Sequence, residues 1–160
     1  PDRVSHLVLA AGIPDLPAAL DAQCARLRRM DGEAFARASA GIAAGAVPCC
    51  DPFRAYPGGT QEYVYRNMFP DPKTAELVDR TDAEGGFGNT GELSRAMFAQ
   101  GLTKYRFARP ERLTMPVLVV AGGEDHQAVA EPQRAFAAKL PRARMIEYPG
   151  RGHFMFVEDP

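Results

Sequence analysis

Three short apolar runs stand out in a chain whose pattern is otherwise helical. Residues 4–11 read VSHLVLAA and are closed by a glycine, and residues 116–121 read PVLVVA and are followed by a glycine pair. A third, shorter run, RMIEY, covers residues 144–148. Runs of this length and composition, ended by glycine or proline, predict β-strands. The unbroken second run is typical of a parallel strand that is buried on both faces.

A helix is predicted between the second and third strands, over about residues 131–140. Pro132 falls in its first turn, where a missing N–H costs little, and Phe136 and Leu140 lie four residues apart on one face. Strand, helix and strand in this order form a βαβ unit, and such units build parallel sheets. We therefore expect an α/β fold.

The chain between the first two strands has a helical pattern for nearly a hundred residues. Apolar spacing and polar, Gly- and Pro-rich connections predict four helices there, at about residues 16–27, 35–42, 74–81 and 92–102. We therefore predict a partial α/β core made of residues 1–13 and 110–160, interrupted by a helical insertion over residues 14–109.

Composition excludes several classes of partner. Hydrophobic residues make up 46% of the chain and charged residues 24%, as in ordinary globular proteins. The net charge of -1, from 19 basic and 20 acidic residues, gives no electrostatic reason to expect nucleic acid or a membrane surface as partner. The one dense basic cluster, Arg26, Arg28 and Arg29, is predicted to form a solvated face near a helix end.

The three cysteines are Cys24, Cys49 and Cys50. Three cysteines, an odd number with two of them adjacent, make a poor disulfide framework. The sequence also contains no C-x-x-C pair that would suggest a metal site. We expect reduced cysteines, with the adjacent pair buried or inert, and a cytoplasmic location. Neither a metal nor a cofactor is expected.

Two polar residues come directly after predicted strands. Asp125 comes after the second strand and a glycine-rich turn, and His153 comes after the third strand and the turn Gly150-Arg151-Gly152. The carboxyl edge of a parallel sheet is where α/β proteins place functional groups. A histidine that acts as general base needs a carboxylate to fix its tautomer and stabilise its cation. We predict that Asp125 and His153 meet as the acid and the histidine of a catalytic triad.

Other polar motifs have simpler interpretations. His126 is predicted to be a loop residue, and His6 a structural residue within the first strand. Residues 86–91 match G-x-G-x-x-G, but a dinucleotide-binding turn needs a strand before it, and the residues before this one, 82–85, read as a polar loop. We interpret that match as accidental.

The two turns resemble the end of the α/β-hydrolase fold, in which the chain order is serine, acid, histidine. Gly122 and Asp125 match its acid turn, and Gly150, Gly152 and His153 match its histidine turn.

The rest of the chain is similar to the same family. Phe154 and the segment VEDP at 157–160 are typical of the residues directly after the family's histidine, and residues 1–12 resemble the strand after the nucleophile helix. The helical insertion resembles the cap, or lid, that the family inserts at this point.

The family's nucleophile elbow, G-x-S-x-G, is absent from this sequence. The nearest string, RASAG at 37–41, lacks the first glycine and falls in a predicted helix. The resemblance therefore implies that the serine lies upstream or on a second chain, with the missing N-terminal half of the fold as partner. Because residues 4–9 would otherwise form an open apolar edge, we expect the chain alone to be inactive and poorly soluble.

The resemblance implies a serine hydrolase that cleaves a carboxylic ester, lactone or amide through an acyl-enzyme. Two alternatives stay open. The segment YVYRNMFPDP at 63–72 resembles proline iminopeptidase-like enzymes, whose cap carboxylates hold the substrate's amino group, and Glu62 and Glu92 are candidates for that role. A non-catalytic protein of this fold that binds a small ligand is the other. The residues available to line an apolar pocket are Tyr63, Tyr65, Met68, Phe69, Met97 and Phe98.

Overall fold

The computed structural model describes residues 3–86 and 90–159. Its three strands are β1 (Leu7–Ala10), β2 (Val117–Gly122) and β3 (Ala143–Tyr148). They form one sheet in the order β1-β2-β3, and both pairings are parallel. The chain therefore has the α/β class that the sequence predicts.

The described residues contain seven α-helices. Five follow β1 in the helical insertion: α1 (Leu16–Met30), α2 (Gly32–Ser39), α3 (Gly59–Met68), α4 (Pro72–Gly85) and α5 (Thr90–Ala99). The other two, α6 (Ala130–Ala137) and α7 (Met155–Glu158), follow β2 and β3. None of the helices in these residues is both long and apolar enough to cross a membrane.

Aspartates begin three of the helices of the insertion. The carboxylates of Asp15, Asp31 and Asp71 each accept a hydrogen bond from a backbone N–H in the first turn of α1, α2 and α4. A side chain in this place satisfies a donor that has no partner within the helix. In α1 and α4 a proline follows at the first or second helical position, where its missing N–H costs nothing.

One face of the sheet packs against α6. Leu7, Val119 and Met145, which point to this face, contact Phe136 of α6 and Leu140 just after it. The opposite face is open: Val8 is 62% exposed. Along β2 the side chains alternate between buried and half-buried. The prediction that β2 is buried on both faces was therefore wrong for the described chain, because a helix layer covers only one of them.

Two helices of the insertion differ most from the sequence prediction. The segment that forms α3 was not predicted to be helical, since its residues carry no clear apolar periodicity. Helix α4 extends to Gly85, so residues 82–85, predicted as a polar loop, are helical. The helix ends at Gly86, whose φ of 69° lies in the left-handed region that glycine adopts without cost.

A disulfide joins Cys24 of α1 to Cys50, while Cys49 is a free thiol. The prediction of three reduced cysteines was wrong. Disulfide formation depends on which Cα atoms the fold brings close together, here 5.7 Å apart, and the number of cysteines does not determine that. Because disulfides persist in oxidising surroundings, the cysteine pattern no longer supports a cytoplasmic location, which stays a prediction.

Candidate active site

The acid turn and the histidine turn lie side by side beyond neighbouring strands. Asp125 follows the end of β2 and His153 follows the end of β3. Backbone bonds continue the pairing past the strands: Gly123 N–H donates to the Tyr148 carbonyl at 2.9 Å, and Glu124 N–H donates to the Arg151 carbonyl at 2.8 Å. The two turns are thus held together by their own main chains.

The side chains of Asp125 and His153 meet directly. His153 Nδ1 lies 2.8 Å from Asp125 Oδ2. The other carboxylate oxygen, Oδ1, accepts from the backbone N–H groups of Gln127 at 2.9 Å and Ala128 at 2.8 Å. Asp125 is fully buried, and these charge-assisted bonds compensate for its lost hydration. With Nδ1 bound to the acid, Nε2 is the ring nitrogen available for proton transfer.

Two glycines allow the turns to approach this closely. A Cβ on Gly122 would lie 2.1 Å from the Gly152 carbonyl oxygen and 2.4 Å from that of Arg151. A Cβ on Gly152 would lie 2.3 Å from Pro70 Cδ and 2.4 Å from the Met68 carbonyl oxygen. The sequence marks both glycines as members of the turns, but only the structure shows what they approach.

Glu158 holds the histidine turn from the other side. Both oxygens of its carboxylate lie 3.1 Å from the Gly152 nitrogen and accept its N–H. Glu158 ends the short helix α7, which returns the chain over the turn. The sequence shows this glutamate within the segment VEDP, but it carries no signal of the contact.

Arg26 of α1 reaches the acid turn. Its guanidinium donates to the Gly123 carbonyl and to the Glu124 carboxylate, both at 3.0 Å. The prediction that the arginine cluster is a solvated face was thus wrong for Arg26, whose side chain is only 16% exposed. The reason is tertiary, because a helix end that packs on the acid turn cannot be recognised from charge spacing.

His126 is a loop residue, as predicted, and its ring contacts Glu124 rather than Asp125. Its Nε2 lies 3.1 Å from a Glu124 carboxylate oxygen. Burial lowers the pKa of His126, and the hydrogen bond from His126 lowers the pKa of Glu124. The pair therefore favours a neutral imidazole beside an ionised carboxylate.

Aromatic side chains form an apolar wall beside His153. The Phe154 ring meets the His153 ring edge-on at 5.3 Å, and Phe69 of the insertion stacks on Phe154 at 5.3 Å. Two of the predicted pocket residues therefore reach the site: Phe69 through its ring, and Met68 through its backbone carbonyl, which accepts the His153 N–H at 2.9 Å. Tyr63 is instead a core residue, 1% exposed, and burial raises the pKa of its hydroxyl.

The other residues singled out in the sequence lie outside this arrangement. Glu62 accepts from the Gly58 N–H, which lowers its pKa, and pairs with Arg66 at 2.8 Å. Glu92 is exposed on α5.

The same holds for three predicted pocket residues and for His6. Tyr65 donates to Asp79. Met97 and Phe98 are about two-fifths exposed, at 39% and 41%. His6 is exposed just before β1, so its prediction as a strand residue was wrong.

The two motifs set aside in the sequence keep that interpretation. Ser39 ends helix α2, where its hydroxyl donates to the Ala36 carbonyl, so it is not at a strand-to-helix turn. The glycine motif at 86–91 follows helix α4 rather than a strand, and residues 87–89 lie outside the described residues. Within residues 3–86 and 90–159, no three His, Cys, Asp or Glu side chains are grouped so that they could hold a metal ion.

Comparisons with known proteins agree with the fold. The proline iminopeptidase-related protein from Thermus thermophilus superposes with a TM-score of 0.65 at 20% identity, over 99% of this chain and 52% of that one. The proline iminopeptidase of Mycobacterium smegmatis gives 0.61 at 22% identity, over 100% of this chain and 54% of that one. The chain thus spans about half the length of these structures, and identities this low show the fold alone.

Curated proteins contain no match to this sequence. A family model does match it: the model described as "Alpha/beta hydrolase family" covers residues 2–160. The coverage includes both turns and the whole helical insertion. The chain therefore belongs to the alpha/beta hydrolase family.

Proposed function

We propose that this chain supplies the acid and the histidine of a serine hydrolase that cleaves a carboxylic ester, lactone or amide through an acyl-enzyme. One observation carries the proposal: a fully buried carboxylate, Asp125, lies 2.8 Å from Nδ1 of His153. Two backbone N–H groups hold the same carboxylate in place. A buried acid–histidine pair of this kind prepares an imidazole to accept a proton from a nucleophile.

In the proposed reaction, a serine hydroxyl attacks the substrate carbonyl while His153 Nε2 takes the hydroxyl proton. The resulting imidazolium is stabilised by Asp125, which stays ionised. His153 then returns the proton to the leaving alcohol or amine. Water hydrolyses the acyl-enzyme by the same route, with His153 again as the base.

The serine and the oxyanion donors come from outside these 160 residues in this proposal, either upstream in the same protein or on a second chain. Within the family, the nucleophile lies in a G-x-S-x-G turn, and backbone N–H groups stabilise the oxyanion. An intact mass above the 17.4 kDa of this chain, or a second polypeptide carrying that motif, would identify the source. Labelling with a fluorophosphonate would then mark the serine itself.

Substitution of the two residues tests the proposal. Asp125→Asn should lower kcat by about 10⁴, because the amide favours the wrong imidazole tautomer, and His153→Ala should cost a similar factor. The measurement is turnover of an activated ester by the protein that includes the serine, with circular dichroism to check folding. His6→Ala, a change at an exposed histidine just before β1, is the control and should leave turnover unchanged. Near-normal turnover in either triad variant would refute the assignment.

Two further functions are decided by the same assays. Release of an N-terminal proline, the activity in the name of one structural neighbour, is tested with a proline anilide beside esters and lactones. A non-catalytic role in binding a small ligand is indicated if the intact protein neither reacts with the fluorophosphonate nor turns over any of these substrates.

A further inference from the structure

The C-terminal end of α3 holds both turns of the proposed site. The Asn67 carbonyl accepts from the His126 N–H at 2.9 Å, and the Met68 carbonyl accepts from the His153 N–H at 2.9 Å. The last carbonyls of a helix have no partner within it, so they are free to accept from other segments. The acid turn and the histidine turn are therefore bound to the same end of one helix of the insertion.

A second contact from the insertion reaches the acid turn through a buried side chain. Gln23 of α1 is only 3% exposed. Its Nε2 donates to the Gln127 carbonyl at 2.6 Å, and its Oε1 accepts from the Tyr63 hydroxyl at 3.1 Å. Both ends of the amide are thus satisfied, and this fixes its orientation between α1, α3 and the acid turn.

The peptide that Gln23 holds is one bond away from the catalytic carboxylate. The Gln127 carbonyl, which accepts from Gln23, belongs to the same peptide group as the Ala128 N–H, and this N–H donates to Asp125 Oδ1 at 2.8 Å. The Gln127 N–H donates to the same oxygen at 2.9 Å. A shift of this peptide group would therefore change the direction of the N–H groups that fix the carboxylate. The carboxylate in turn sets the position of the His153 ring.

We propose that Gln23 is a positioning residue through which the helical insertion controls the geometry of the Asp125–His153 pair. The expected effect of Gln23 on turnover rests on the proposed function. The expected effect of Gln23 on the hydrogen bond between Asp125 and His153 does not. Any displacement of the insertion relative to the sheet would move Gln23 and alter the pair. The insertion then takes part in the proposed catalytic arrangement.

The test replaces Gln23 by methionine, which has a similar volume and no amide. The readout is the ¹H resonance of the His153 Nδ1 proton in the intact protein that includes the serine. In Gln23→Met this resonance should move upfield and broaden, since a loosened Asp125 holds the proton less well. Turnover of an activated ester should show kcat reduced about ten- to a hundredfold with KM little changed, the size of effect that misplacement of a catalytic group produces.

Two control variants separate positioning from general destabilisation. Leu27→Ala removes a side chain of α1 that is 5% exposed and packs in the same cluster as Cys24 and Tyr63. It should lower the free energy of unfolding and leave the Nδ1 proton unchanged. Tyr63→Phe removes one of the two bonds of Gln23 and should have a smaller effect than Gln23→Met.

The outcomes distinguish a failure of the positioning role from a failure of the proposed function. An unchanged Nδ1 resonance and kcat in Gln23→Met, or an equal change in Leu27→Ala, would overturn the positioning role. If Asp125→Asn leaves turnover intact, the proposed function fails. If the wild-type protein has no turnover and Gln23→Met still moves the resonance, the positioning role stands without the proposed function.

Discussion

At the scale of single residues, the site depends on two glycines, because a Cβ at either position would collide with a neighbouring segment. Gly122 faces two carbonyl oxygens of the histidine turn, and Gly152 faces Pro70 and the Met68 carbonyl. Each close approach joins two segments, so the glycines connect the end of β2, the histidine turn and the end of α3 in one stack. A Cβ at either place would separate segments that the hydrogen bond between Asp125 and His153 needs together.

We expect Gly122→Ala to lower the free energy of unfolding by about 1–3 kcal/mol, the usual cost of overpacking. The cause is that the new Cβ would lie 2.1 Å from the Gly152 carbonyl oxygen. Because this oxygen belongs to the backbone, the rotation of a side chain cannot relieve the contact. Urea denaturation of the intact protein measures the loss. The same shift should lengthen the bond between Asp125 and His153 and reduce turnover.

Gly123→Ala is the matched control for this substitution. Its Cβ would meet nothing closer than the Tyr148 carbonyl oxygen at 3.4 Å, an ordinary contact. We expect a change in stability of no more than about 0.5 kcal/mol. Equal stability of the two variants would show that the turns can separate at no cost, against the packing described above.

At the scale of elements, α1 is, beside α3, a helix that connects the insertion to the acid turn. Within four residues it carries three contacts: Gln23 to Gln127, Cys24 to Cys50, and Arg26 to the acid turn. Cys24 lies in the core of the insertion, while Gln23 and Arg26 reach toward the sheet. The disulfide therefore stabilises the helix from which both of these side chains extend.

Loss of the disulfide should reduce stability through the unfolded state. The bond closes a loop over a sequence separation of 26 residues, for which the loop-entropy model gives about 3.5 kcal/mol. We expect Cys50→Ser to lower the free energy of unfolding by about that amount in urea, and dithiothreitol to do the same to the wild-type protein. Cys49→Ser, at the neighbouring free thiol, should change little. If the reductant has no effect on the wild-type midpoint, the disulfide is not a stabilising element.

At the scale of the whole molecule, the sheet is covered on one face by α6. Val8 on the opposite face is 62% exposed, and Leu118 and Ile146, which point the same way, are half-buried. Among the described residues no strand pairs with the free side of β1. Exposed strand edges and apolar faces promote association between chains.

We expect the 160-residue chain alone to self-associate, and Val8→Lys to reduce this association. A lysine at this site places a charge on the open apolar face, where contact with another copy would have to desolvate it. Sedimentation velocity at several concentrations measures the effect. Val47→Lys makes the same change at a valine of the insertion that is 69% exposed, and it should not alter the association. A monomeric wild-type chain, or equal effects of the two lysines, would contradict the role of this face.

The sequence by itself predicted the features that arise from neighbouring residues. Apolar runs ended by glycine or proline indicated the three strands, and the order of strand, helix and strand indicated a parallel sheet. Parallel strands bring their carboxyl ends to one edge, so Asp125 and His153 could be expected to meet before the fold was known. The family resemblance rested on the same two turns.

Tertiary structure alone decided what joins distant parts of the chain. Gln23 and Gln127 are 104 residues apart, and Arg26 and Glu124 are 98 apart. No local pattern marks such pairs, because each residue has ordinary neighbours and acquires its role from the packing of α1 on the acid turn. The disulfide, the helical state of α3 and the open face of the sheet belong to the same class, since each depends on which segments meet when the chain folds.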